Sequence, residues 1–217
     1  MQKELVYLED IKTTDLILKE LPDKEDWNHT TSKLFKLDLM KFFSLKPKKK
    51  IIEFGCSSEL TSIILSNFAT NFVAVDRSEE LLNVLRQNKV NLPAHLNFNP
   101  DYFSNIEILN LDLYGENFAE FCKDNIFEVV FIDAKHELEY LKIDLNNAEK
   151  LGANTIILDD YGIMPAVVKH IQENYVETGN WTIRYIGYPP GSYFEGCESI
   201  LTHWEGVILE RNNENSN

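Results

Sequence analysis

Apolar positions along this chain recur with two periods, and stretches of the two alternate. From Thr31 and Ser32, a pair suited to capping a helix, apolar residues fall at Leu34, Leu37, Met40 and Phe43 up to Pro47, which is the spacing of a helix with one buried face. A short continuous run follows, Ile51 to Phe54, and reads as a buried strand. Leu60, Ile63, Ile64 and Phe68 then share a helix face, and Phe72 to Val75 forms the next strand, so this stretch is a βαβ unit. The alternation continues with a helix capped at Ser78 that carries Leu81, Leu82 and Leu85, a strand over 106–111, and a helix near 117–122.

Further on, a strongly apolar strand over 127–132 leads to a helix with Leu138, Leu141, Leu145 and Ala148 inward, stopped by Gly152, and then to a strand over 155–158. A last helix tolerates Pro165 in its first turn and turns Val167, Val168 and Ile171 inward. Two β-like runs, 181–188 and 205–210, close the pattern with only a Gly/Pro-rich loop from Pro189 between them. Alternating β and α with buried strands implies a mostly parallel sheet, and two strands without a helix between them imply an antiparallel hairpin at one edge. The fold class expected is therefore α/β: a doubly wound, Rossmann-like, mostly parallel seven-stranded sheet with a C-terminal antiparallel hairpin. Residues 31–210 form one domain on this reading, residues 1–30 a helical extension or lid, and the polar, Asn-rich 211–217 a disordered tail.

Composition narrows the partners. Lys and Arg number 21 against 35 Asp and Glu, a formal charge of −14, which disfavours nucleic acid and anionic membranes as partners. The three cysteines, Cys56, Cys122 and Cys197, have no C-x-x-C spacing and suit a reducing cytosol. Acids interrupt the opening ten residues where a signal peptide needs an apolar stretch, and no run reaches membrane-spanning length, so a cytoplasmic protein is expected. Homo-oligomerisation stays open.

In a doubly wound sheet ligands sit at the carboxyl ends of the strands, and here those ends are rich in acids. The first carries Glu53 and the turn Gly55, Cys56, Ser57 and Ser58, where a glycine allows a tight turn and a helix N-terminus aims N–H groups at an anion. The dinucleotide pattern G-x-G-x-x-G is absent; an acid two residues before the glycine suits a cationic amine instead. Asp76, followed by Arg77, ends the second strand and can either hold a ribose diol or cap the helix from Ser78. Asp112 and Leu113 end the third, with adenine contact and capping as the two readings. Asp133 ends the fourth, just ahead of Lys135 and His136, and Asp159 and Asp160 end the fifth. Neighbouring strands lie about 4.8 Å apart, so these three carboxylates could converge on Mg²⁺, Mn²⁺ or Ca²⁺, or could simply cap the next helices.

The stretches Ile51 to Glu59, Val73 to Asp76, Phe131 to His136 and Ile157 to Tyr161 together resemble class I S-adenosylmethionine-dependent methyltransferases. They are most similar to the divalent-metal-dependent O-methyltransferases, of the catechol and caffeoyl-CoA types and the sugar types of macrolide and aminocoumarin pathways. The resemblance implies S-adenosylmethionine (SAM) as cofactor, with Glu53 and Gly55 at its methionine end, Asp76 at the ribose and Asp112 at the adenine. It further implies Mg²⁺ on Asp133, Asp159 and Asp160, and a small hydroxylated acceptor such as a sugar or catechol-like ring. Lys135 would be the base with His136 in reserve, or Lys135 would pair with an acid and His136 pack at a helix start. Catechol-type members place a lysine close behind the first metal ligand and sugar types an aspartate two residues after it, so Lys135 departs from both patterns, and Ser57 and Glu59 stand where members often have glycine.

Overall fold

A computed structural model of the chain describes residues 31–47, 49–56, 60–95, 99, 101–192 and 201–212. The expected extension over 1–30, the turn residues Ser57 and Ser58, and 213–217 of the expected tail lie outside these residues, whereas Arg211, placed in that tail, ends the last strand, where its N–H bonds the Asn154 carbonyl.

Helix α1 (Lys33–Ser44) begins at Ser32, whose hydroxyl accepts the Phe35 N–H at 2.8 Å and supplies the cap that its residue type promised. Its inward face carries Phe35, Leu39, Phe42 and Phe43. There follow β1 (Lys49–Phe54), α2 (Leu60–Ser66), β2 (Ala69–Asp76), α3 (Glu79–His95), β3 (Ile106–Asn110) and α4 (Glu116–Asp124). The chain continues as β4 (Val129–Ile132), α5 (Leu138–Lys150), β5 (Thr155–Leu158), α6 (Pro165–Ile171), β6 (Trp181–Ile186) and β7 (Gly206–Arg211). The sequence pattern does not anticipate one feature, a π-helical turn at Gln172–Val176 that extends α6.

The seven strands form one sheet in the order β3-β2-β1-β4-β5-β7-β6. Strands β1 to β5 pair in parallel, and β7 runs antiparallel between β5 and β6. The C-terminal hairpin thus forms at the sheet edge with its second strand inserted inward. Both faces of the sheet are covered, which explains the unbroken apolar runs of β4 and β5. On one face Phe35, Phe43, Ile64 and Phe72 belong to the core; on the other Phe118, Leu145, Ile156 and Ile171 do. The strand order reverses at β1, so the carboxyl ends of β1, β2 and β4 border the crevice that such a reversal opens.

Candidate active site

The crevice is built around Gly55. Its φ is +81°, its N–H donates to the Val75 carbonyl at 2.9 Å, and next to it the Asp133 N–H donates to the Phe54 carbonyl at 2.9 Å. A Cβ at residue 55 would lie 2.4 Å from the Asp133 carbonyl oxygen and 2.6 Å from the Ala134 Cα, so glycine alone permits this approach. The result is a cavity of about 250 Å³ at the strand ends. Gly55, Asp76 and Arg77 line it from β1 and β2. Asp112, Leu113 and Tyr114 line it from the end of β3, and Asp133, Ala134 and Lys135 from the end of β4.

Two of these acids each accept a backbone N–H two residues on, in the loop ahead of the next helix, and neither is that helix's cap: Ser78 caps α3 and Gly115 precedes α4. Asp76 Oδ1 accepts the Ser78 N–H at 2.8 Å, and Asp112 Oδ1 accepts the Tyr114 N–H at 3.1 Å, each orienting a carboxylate that also faces the cavity. Glu53 and Cys56 stand differently. Glu53 is 1% exposed and accepts the Ser62 hydroxyl, and Cys56 is buried with its thiol pKa pushed up by burial and then by the charges of Glu53 and Asp76. Neither side chain lines the cavity as described. A thiol held protonated in this way is a packing group rather than a nucleophile.

The strand ends on the other side of β4 hold a second group. His136 Nε2 lies 3.2 Å from Asp160 Oδ2, and Asp160 adopts φ +53°, rare for a residue with a side chain. Burial raises the pKa of Asp160, with His136 opposing that rise. Glu205, just before β7, is also buried and has its pKa raised by burial, with Asp160 adding to the rise. It accepts the Ser32 N–H at 2.9 Å, the Ser32 hydroxyl at 2.6 Å and the Tyr188 N–H at 2.9 Å. Glu205 therefore joins the cap of α1 to the loop after β6. Beside it, His203 packs 5.1 Å from the ring of Tyr161 and 5.0 Å from that of Tyr185, which stacks in turn on Trp204 at 6.1 Å. The Gln172 amide donates to both tyrosine hydroxyls at 3.1 and 3.2 Å.

Two expectations need correction here. Among the described residues no group of three His, Cys, Asp or Glu side chains is arranged to hold a metal ion, so the expected convergence of Asp133, Asp159 and Asp160 is not formed. The physical reason is that Asp133 faces the cavity, whereas the left-handed backbone at Asp160 turns its carboxylate onto His136. Lys135, expected as base or acid partner, instead sets its ammonium 3.7 Å from the ring centre of Tyr140 and 5.3 Å from that of Tyr114. Aromatic faces attract such a cation, so Lys135 forms part of the cavity wall. Tyr114, Asp144 and Glu205 were not anticipated. The available signal for Asp144 was a charged residue on the inward stripe of α5 between Leu141 and Leu145.

No protein-family model matches the sequence, and no curated protein matches it either. Solved structures do. A tRNA (m1A58) methyltransferase from Aquifex aeolicus aligns at TM-score 0.55 and 16% identity over 88% of this chain and 73% of its own. The chain has the class I methyltransferase fold. Magnesium protoporphyrin IX methyltransferase from Synechocystis PCC 6803, solved with bound SAM, aligns at TM-score 0.55 and 15% identity over 82% of this chain and 78% of its own. An O-methyltransferase from Bacillus cereus in complex with SAH aligns at TM-score 0.52 and 16% identity over 96% of this chain and 90% of its own. These neighbours share a fold but differ in what they methylate, so the acceptor has to be argued from the site. Among the described residues no helix is long and apolar enough to cross a membrane.

Proposed function

We infer that this protein transfers a methyl group from SAM to the hydroxyl of a small acceptor. The observation that carries the reading is the acid-rimmed cavity at the reversal of strand order, cradled by a glycine that admits no side chain. Its residues fit the cofactor: Asp76 suits the ribose diol, Asp112 the adenine end, and the narrow turn at Gly55 a ligand pressed against backbone. Several carboxylates around one cavity also favour a cationic ligand over a phosphate-bearing dinucleotide. When bound, SAM supplies an electrophilic methyl carbon on a sulfonium leaving group.

The chain's own contribution is to orient the acceptor and remove its proton. With Asp160 Oδ2 3.2 Å from His136 Nε2, the carboxylate charge favours the tautomer protonated at Nε2, whose lone pair on Nδ1 accepts the proton of an acceptor hydroxyl. The arrangement follows the logic of a carboxylate that fixes the tautomer of a basic histidine. Lys135, held against Tyr140, is a wall element in this account, and no step runs through a metal because the acids do not form a ligand set. A net charge of −14 supports a small uncharged acceptor rather than a nucleic acid.

The reading is tested by calorimetric titration with SAM, followed by transfer of labelled methyl to a panel of sugars, polyols and catechols with and without chelator. Binding of SAM, chelator-insensitive transfer, and loss of transfer but not of binding in His136→Ala are expected. Absence of SAM binding would remove the reading, and transfer abolished by chelator would overturn the metal-free removal of the acceptor proton by His136.

A further inference from the structure

A buried carboxylate that the mechanism does not use lies behind the cavity wall. Asp144, on the inward stripe of α5, is 0% exposed, and its Oδ1 has no hydrogen-bond partner among the described residues. Its Oδ2 accepts the Tyr114 hydroxyl at 3.3 Å. The ring of that same tyrosine lines the cavity, with the Lys135 ammonium 5.3 Å from its centre and the Tyr140 ring of α5 at 4.9 Å. One tyrosine thus anchors the loop after β3 to a helix through its hydroxyl and meets the Lys135 side chain of the loop after β4 through its ring, joining two walls of the cavity. We propose that Asp144 is a positioning residue for the cofactor cavity, acting through Tyr114 to hold these two loops at their separation and making ligand affinity depend on its own charge.

The direction of that dependence follows from the chemistry. An ionised carboxylate makes the stronger bond to the tyrosine hydroxyl, so the wall is firmest when Asp144 is charged. A buried oxygen without a donor opposes ionisation, and burial pushes the Asp144 carboxyl up to about 7, with the Tyr114 bond working against the rise. The surroundings offer little else that titrates nearby. Tyr114 faces it from the loop after β3, Tyr140 comes from its own helix, and the Lys135 ammonium lies over the rings of these two tyrosines. The inward face of α4 brings Phe118 and the Cys122 thiol, which burial pushes up to about 11, and α6 brings Val167 and Ile171.

The inference rests on the reading of the cavity as a SAM site, and its test separates the two. SAM and S-adenosylhomocysteine are titrated into the intact chain, Asp144→Asn and Tyr114→Phe at pH 6 and pH 8, with Asp144 carboxyl shifts followed by ¹³C NMR without ligand. Both ligands should bind about fivefold more tightly at pH 8 than at pH 6 in the intact chain. Asp144→Asn should show the weaker value at both, and Tyr114→Phe should move the Asp144 midpoint upward. S-adenosylhomocysteine lacks the sulfonium charge, so its response isolates positioning from simple attraction. An unchanged pH dependence in Asp144→Asn, a response confined to SAM, or an Asp144 midpoint indifferent to Tyr114→Phe would each overturn the inference. Failure of either ligand to bind the intact chain, with the NMR behaviour as described, would overturn the cofactor reading and leave only the bridge between the loops.

Discussion

At the ends of β2 and β3 the acids Asp76 and Asp112 stand on the rim of the cavity, each accepting a backbone N–H, whereas across β4 the half-buried Asp160 and the buried Glu205 are given side-chain partners. The first arrangement leaves carboxylate charge facing a cavity, which suits a ligand that brings positive charge and hydroxyl donors. The second spends its acids within the protein. Asp160 orients a histidine, and Glu205 binds the cap of α1 to the loop after β6. Carboxylates at strand ends therefore do not announce a common role: local backbone conformation decides whether they meet a ligand or one another.

The comparison is broken most severely at its hinge, the glycine between the halves. In Gly55→Ala the new methyl would meet the Asp133 carbonyl and a positive φ would persist, so SAM binding should weaken by at least about 100-fold and the thermal midpoint should fall. Calorimetry and a melting curve check both. His136→Ala separates the halves: methyl transfer should fall by roughly 100-fold while SAM affinity stays within about twofold. Equal losses of both would show that the two groups are one site with one role.

Next comes the pH dependence of stability. Asp144 titrates near 7 folded and near 3.9 unfolded, so its contribution to stability is full below about pH 4 and is lost as pH rises through about 7. Denaturant unfolding of the intact chain should therefore lose roughly 2–4 kcal/mol between those limits from this group, and Asp144→Asn should flatten that part of the profile. The smallest effect is expected at Glu205. Glu205→Gln keeps its shape but turns one acceptor into a donor facing N–H or O–H groups, and a loss of about 1–2 kcal/mol is expected in the same assay.

Much of this was legible in the sequence. The alternation of periods yields the doubly wound sheet, its strands and its antiparallel hairpin, and Ser32 and Gly152 mark helix ends by residue type alone. Gly55, Asp76, Arg77, Asp112, Leu113 and Asp133 do line one cavity, because the end of a strand is fixed once the strand is. The acids beyond β4 were less legible. Spacing cannot show that Asp160 adopts a left-handed backbone, which redirects its side chain, nor that β7 inserts between β5 and β6 and brings Glu205 to Ser32. The surroundings of Lys135 were illegible for a related reason, since the tyrosines over which its ammonium lies come from two separate elements.

The central claim is that the cavity at the ends of β1 to β4 is a SAM site held by Asp76. Titration of SAM into the intact chain and into Asp76→Ala tests it directly. The account predicts one-to-one binding to the intact chain and a loss of about tenfold or more in Asp76→Ala, as expected when a buried ligand diol loses its acceptor. No binding to the intact chain, or equal binding to both proteins, would contradict it.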